Sequence, residues 1–334
     1  ISTLRNLEEM GMEIQNRDLL RRFAEAGLPV DYGAERVRFP ARFVESFIAA
    51  SQKHDWEHSP PTVSASAGVY HGLYHDPQNG RLVPWEEKDL VFYFSLARQL
   101  PQVSSASMLG CRLPVPGPLE PLYERYYCWK YGAREGGSIY LDEICPYLLE
   151  MYQACADARG QSIEKVFHAT VYLVPALKLG RREAYQVGYF REHGLRVGIG
   201  GSMLTMGATA PVTLAGAVAL NLAEQIALRL LDWVLWGEKI LALGASIAGM
   251  DMRTTIRPFG RPEMCFADGP GGPSPGGLIQ RACWFERCKA ALGRSRRSEG
   301  AFGCPYPDVW RECVVGCRVV GHRRGVFPDP DDPG

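Results

Sequence analysis

The chain has 334 residues, 46% of them hydrophobic, with 37 basic against 37 acidic side chains. That length allows one large domain or two ordinary ones, and the apolar content excludes a disordered chain. With no net charge there is no field to draw nucleic acid or an anionic membrane, so neither is expected as a partner.

The chain opens on Ile1, and Ile-Ser-Thr-Leu-Arg-Asn-Leu-Glu-Glu-Met reads as an amphipathic helix without the basic-then-apolar layout of a signal peptide. The expectation is a cytoplasmic protein whose natural start lies upstream. Residues 1 to about 60 read as helical, from the spacing of Leu4, Leu7 and Met10, then Leu19, Leu20 and Phe23, then Phe43, Phe47 and Ile48, with Pro40 opening the third segment. From Ser59 to Leu82 the alternation Val69-Tyr70-His71-Gly72-Leu73-Tyr74 predicts hairpin-like strands around Gln78-Asn79-Gly80. His71 and His75 stand four apart, but the segment does not read as a helix. A solvated flap is the preferred reading, and no metal site is expected there. Residues 1–84 are thus a helical lead-in and flap.

A regular alternation then begins. Helices are predicted at about 86–99, 118–131, 145–158, 181–193 and 211–236, and strands at 103–108, 138–141, 165–173, 195–199 and 240–247. Each strand is linked to the next by a helix, the rhythm of βα units on a parallel sheet. Periodicity alone leaves open a doubly wound sheet or part of an eight-stranded barrel. A dinucleotide fold would want G-x-G-x-x-G after its first strand; Gly198-x-Gly200 occurs, but Met203 holds the third glycine's place and the strand is the fourth. The longest apolar segment, Pro211 to Trp236, is broken by Asn221, Glu224, Gln225, Arg229 and Asp232, so it reads as a core-facing helix and not as a membrane span.

Past residue 264 the pattern is lost. Six of the ten cysteines lie in the last 70 residues, among Arg-, Gly- and Pro-rich runs with no sustained period. Residues 265–334 read as an irregular tail of the composition that a GC-rich gene gives out of frame. The alternative is a metal-binding module built on Cys283, Cys288, Cys313, Cys317 and His322, whose spacings fit zinc sites poorly.

The most informative stretch runs from Gly200 to Gly216, Gly-Gly-Ser-Met-Leu-Thr-Met-Gly-Ala-Thr-Ala-Pro-Val-Thr-Leu-Ala-Gly, and reads as one loop from a strand to a long helix. Glycines allow close approach of a ligand, Pro211 suits a first helical turn, and Thr209 or Thr213 can bond the free amides there. The wording of this stretch resembles the trimethylamine:corrinoid methyltransferases. Leu7 to Glu13, Ala26 to Asp31, Arg36 to Pro40, Gly249 to Thr254 and Pro262-Glu263 resemble further segments of that family, so the likeness runs over about residues 5–264.

The resemblance implies a (β/α)8 barrel that moves a methyl group from trimethylamine or a betaine-like quaternary amine to a corrinoid carried by a partner protein. It also implies that no cofactor is bound covalently. Some members insert pyrrolysine, and this sequence shows none. The fold expected is α/β: a partial (β/α)8 TIM-type barrel over 85–264, a helical N-terminal segment and an irregular C-terminal tail. A cationic amine suits an aromatic cage with an acidic group at strand ends. Candidate substrate-binding residues are Tyr140, Asp142, Glu143, Tyr172 and Asp251. The loop expected to face the corrinoid comprises Gly200, Gly201, Ser202, Gly207, Thr209 and Thr213, with Gly201→Val expected to stop transfer and spare the fold. No catalytic acid or base and no metal ligand is assigned, and a homo-oligomer is allowed.

Plainer readings stand beside these. Tyr140 and Tyr172 could pack in a core, Asp142 and Glu143 could charge a helix start, and Asp251 could pair with Arg253. His168, inside an apolar strand, reads as a hydrogen-bonded core histidine. Two other functions remain open: a non-catalytic truncated barrel with unpaired strand edges, and an unrelated α/β enzyme using Gly198 to Gly207 for a phosphate.

Overall fold

The computed structural model describes residues 2–53, 65–68, 73–75, 80–107, 115–241, 243, 247–255 and 257. The chain divides into two units, Ile1–Arg287 and Cys288–Gly334, and every described residue falls in the first. The expected tail at 265–334 and its cysteines, together with His71 and the Gln78-Asn79 turn, lie outside the described residues.

The N-terminal part is not purely helical. Helices Arg17–Glu25 and Ala41–Ala50 form as expected, the first capped by Asn16, whose side chain accepts from the amides of Asp18 and Leu19 at 3.0 Å each. The short strand Met12–Ile14 ahead of the first helix, and Val30–Asp31 and Arg36–Val37 between the two, join Lys178–Leu179 in a four-stranded sheet. Strands of two or three residues are too short to show an alternation, so the 3.6-residue spacing of their neighbours masks them. Further on, Leu73–His75 and Leu82–Pro84 pair antiparallel, which is the hairpin expected around Gly80.

From residue 87 the helices are present nearly as read, but the strand expected at 138–141 is a single bridge at Ser138, and that expected at 240–247 is two short strands, Ile240–Leu241 and Ile247–Gly249. Helices Glu87–Gln99, Glu120–Tyr131, Cys145–Arg159, Arg181–Glu192 and Leu214–Trp236 alternate with short strands. Three of these helices end on a left-handed glycine, Gly132, Gly160 and Gly237, which stops the helix without a Cβ clash. The parallel pairings follow chain order: Ala65–Gly68 with Val103–Ser107, a bridge from Ala106 to Glu135, another from Ser138 to Thr170, then Thr170–Tyr172 with Gly198–Gly200. Only residues 201–203 separate that last strand from Leu204–Met206, which pairs parallel with Ile247–Gly249. Ile240–Leu241 pairs parallel with Gln52–Lys53. The strand expected at 165–173 is a helical turn, Ile163–Val166, followed by a three-residue strand, because Ile163 and Phe167 pack on the core from a turn as readily as from a strand.

Two cores hold this together. The larger joins Leu7, Phe23 and Phe39 from the N-terminal part to Val171, Ile199, Phe190 and the buried face of Leu214–Trp236. The smaller packs Leu90, Phe94 and Ala97 against Tyr127, Cys128 and Ala106. Leu214–Trp236 is long and apolar enough to cross a membrane, yet 61% of its most apolar stretch is buried within the protein. Its buried face includes Asn221, Glu224, Gln225 and Asp232, as a core helix allows.

At the amino ends of the central strands a buried polar network forms around Arg125. Its guanidinium donates to the carbonyls of Pro121 (2.9 Å), Ser138 (2.9 Å) and His168 (3.2 Å) and to the hydroxyl of Tyr152 (3.1 Å). That hydroxyl donates to Glu135 Oε1 at 2.9 Å and also lies against the His168 carbonyl. His168 is therefore a hydrogen-bonded core residue. Its Nδ1 lies 3.1 Å from the Glu135 carbonyl, which can only accept, so the ring proton sits on Nδ1. Burial holds its pKa below the ordinary value, with the Glu135 charge opposing.

Candidate functional site

Parallel strands send their carboxyl ends to one side, and the candidate residues follow those ends. The register Gly198 to Thr170, Ile199 to Val171 and Gly200 to Tyr172 turns Val171 and Ile199 into the core and leaves Tyr172 and Gly200 together on the other face. Tyr172 is 63% exposed, so it is not a core residue. Its ring lies directly over Gly200: a Cβ added there would come within 2.6 Å of the ring carbons. Only glycine lets the ring lie so close to the strand. The bridge that pairs Ser138 with Thr170 carries Tyr140 and Tyr172, each two residues further on, toward the same end.

The run from Gly200 to Gly216 is not one loop. Leu204–Met206 interrupts it as a strand, Gly207–Thr209 form a turn with Gly207 at φ +87°, and the helix begins at Leu214. Pro211 therefore lies ahead of the first helical turn. Thr209 Oγ1 accepts from the Thr205 amide at 2.9 Å and so ties the turn to the strand. Thr213 is the N-cap, accepting from the Gly216 amide at 3.2 Å.

Gly201 and Ser202, expected in a loop facing a cofactor, lie beside the long helix, with Ser202 buried and Gly201 half-buried. A Cβ at Gly201 would meet the amide end of the Gln225 side chain at 2.4 Å, so Gly201→Val requires that side chain to move. Ser202 is buried against Glu224: its amide donates to Oε1 at 2.6 Å and its hydroxyl to Oε2 at 2.8 Å. Glu224 Oε2 also accepts from the Leu177 amide at 3.2 Å. Leu177 is buried with φ +55°, a left-handed conformation that costs a non-glycine residue about 1–2 kcal/mol. Its carbonyl accepts from the Glu13 amide at 2.9 Å, so Leu177 is held from both sides.

The acidic candidates separate. Asp142 opens the helical turn ahead of Cys145–Arg159 and accepts from Gln186 Nε2 at 3.1 Å, so it faces the helix Arg181–Glu192. Burial raises its carboxyl above the ordinary range, opposed by the Gln186 bond and the Arg182 charge. Glu143 is exposed beside it. Asp251 closes a turn, with Oδ1 accepting from the Arg253 amide at 2.9 Å and its carbonyl from Thr255 at 2.7 Å. Met252, next to it, reaches toward Gly207. The structure thus joins Tyr172 to Gly200 and the Gly207 turn to the Asp251 turn. It ties Asp142 to Gln186 instead.

Sequence reasoning passed over Glu224, Gln225, Gln186 and Leu177. The signal available was Glu224-Gln225 inside an otherwise apolar helix, since a buried carboxylate needs donors to satisfy it. Five apolar side chains, Tyr172, Val174, Met203, Val212 and Met252, stand exposed where the strands end, Val212 at 78% and Met252 at 73%. Among the described residues no three His, Cys, Asp or Glu side chains gather as a metal site would require.

These features describe a mixed α/β protein that presents an open, aromatic and apolar surface at the carboxyl ends of parallel strands. Residues 157–268, about a third of the chain, match the family model for trimethylamine methyltransferase (MTTB), the family that the sequence resembles. The match takes in Tyr172, the glycine run, Glu224 and Asp251, and it implies a methyltransferase. No curated protein matches the chain.

Proposed function

We propose that this chain transfers a methyl group from trimethylamine, or from a betaine-like quaternary amine, to a corrinoid held by a separate protein. The observation that carries this reading is Tyr172, exposed over Gly200 within the stretch that matches the methyltransferase family. A methylated ammonium has little hydrogen-bonding capacity, and an aromatic face attracts it through the ring quadrupole. Tyr140, carried toward the same end, is the second wall of that cage, and Asp251 at the rim supplies the opposite charge. Asp142, expected beside them, is bonded to Gln186 of the neighbouring helix, and Glu143 is exposed.

Val174, Met203, Val212 and Met252 are exposed apolar side chains near these strand ends, which a partner that brings a corrinoid would cover. When docked, the corrinoid supplies the cobalt nucleophile that takes the methyl group. This chain's residues hold the cation in place and exclude water, and the departing amine leaves neutral with the electron pair of the broken N–C bond, so no catalytic base is required. The chain-order parallel pairings support a (β/α)8 winding, since a doubly wound sheet reverses its strand order. A cytoplasmic location and the division at 84 and 264 belong to the same reading.

The test supplies the purified chain with trimethylamine or glycine betaine and free cob(I)alamin, and measures dimethylamine or dimethylglycine. Product from one of the two amines, lost in Tyr172→Ala, is the expected result. If the wild-type chain releases neither product, the reading falls.

A further inference from the structure

Glu224 stands at the middle of the long helix, fully buried, and its two oxygens receive every donor that the neighbouring strand ends direct at it. Oε1 takes the Ser202 amide; Oε2 takes the Ser202 hydroxyl and the Leu177 amide. One donor set belongs to the loop after Gly198–Gly200, the other to the loop after Thr170–Tyr172. These are the two strands whose last residues, Gly200 and Tyr172, stack on one another. The two loops share a further bond, from the Leu173 amide to the Gly200 carbonyl at 3.0 Å. Leu177 remains left-handed only because its surroundings over-determine it, and strain of this kind gathers at functional sites.

We infer that Glu224 is a positioning residue: its carboxylate clamps the loops at 173–177 and 201–203 to one helix and so fixes the Tyr172 ring over Gly200. An acceptor-only group suits this task, because three donors converge on it and an amide would turn its own N–H₂ toward one of them. Gln225, the next residue, fills the space that a side chain at position 201 would need. The helix therefore sets both the spacing and the height of the loop. The inference rests on reading Tyr172 as part of the amine site.

The test is Glu224→Gln in the full chain, read by amide hydrogen exchange and by calorimetric titration with tetramethylammonium. Exchange should rise at least about tenfold in both 173–179 and 200–206 together, while Cys145–Arg159 keeps its protection. Tetramethylammonium affinity should fall, and adding Tyr172→Ala to Glu224→Gln should lower it no further, because the glutamate acts through the ring. Loosening confined to one loop, or losses from the two substitutions that simply add, would overturn the clamp. If Glu224→Gln does not fold, Ser202→Ala keeps the carboxylate and both amide bonds. It should then loosen 200–206 alone, and unchanged exchange there would equally overturn the inference. A wild-type chain that binds no tetramethylammonium, yet loses protection in both loops on Glu224→Gln, would retain the clamp and sink the amine reading.

Discussion

The two ends of the central strands solve the same problem, a buried polar side chain, in opposite ways. At the amino ends Arg125, Glu135, Tyr152 and His168 spend their donors on one another and on carbonyls, and nothing of Arg125 reaches solvent. At the carboxyl ends Glu224 gathers backbone and hydroxyl donors from two loops, and above it lie the exposed ring of Tyr172 and the apolar rim. One arrangement closes on itself and serves stability; the other holds up a surface. Buried polarity alone therefore does not mark a functional site.

Changes at the amino ends should therefore cost stability and spare binding, and changes at the carboxyl ends the reverse. The largest effect is expected from Arg125→Met, which leaves three carbonyls and the Tyr152 hydroxyl without the donor that Arg125 supplies. Chemical denaturation should show a loss of about 3–5 kcal/mol, with tetramethylammonium affinity of the folded fraction unchanged. Gly200→Ala should do the opposite. The Tyr172 ring is exposed and can swing aside, so stability should fall by less than about 1 kcal/mol while amine affinity drops by about tenfold. A stability loss as large as that of Arg125→Met would erase the contrast.

The smallest effect is in pH. His168 keeps a folded value below its ordinary 6.5, so the unfolded chain takes the proton first. Stability is full above that value and is lost as pH falls through it toward the folded value. Melting temperatures measured from pH 7.5 to 5 should decline, and His168→Gln should flatten the decline. Cys145, pushed up to about 12 by burial, stays a thiol throughout and adds nothing to this slope.

The repeating region was legible because its helices are long enough to show a period and its parallel strands follow them at regular intervals. The helix read at 86–99 is Glu87–Gln99, and that at 211–236 is Leu214–Trp236. The N-terminal sheet was not legible, since Val30–Asp31 and Arg36–Val37 offer two residues each and draw their stability from packing. The strand Leu204–Met206 was hidden for a related reason: it lies inside a glycine-rich run that local chemistry assigns to a loop, and only its pairing with Ile247–Gly249 makes it a strand. Within the candidate site, Tyr172 and the glycines stood out by residue type. Glu224 did not, because a carboxylate in an apolar helix reveals its purpose only when the loops that reach it are in place.

That dependence has a kinetic side. The Glu224 bonds join residues 22 and 47 positions apart, to Ser202 and Leu177. Contacts at such separations are made only after the intervening chain has been ordered. The two βα units must dock on the long helix before the carboxylate finds its donors and the ring of Tyr172 is held over Gly200.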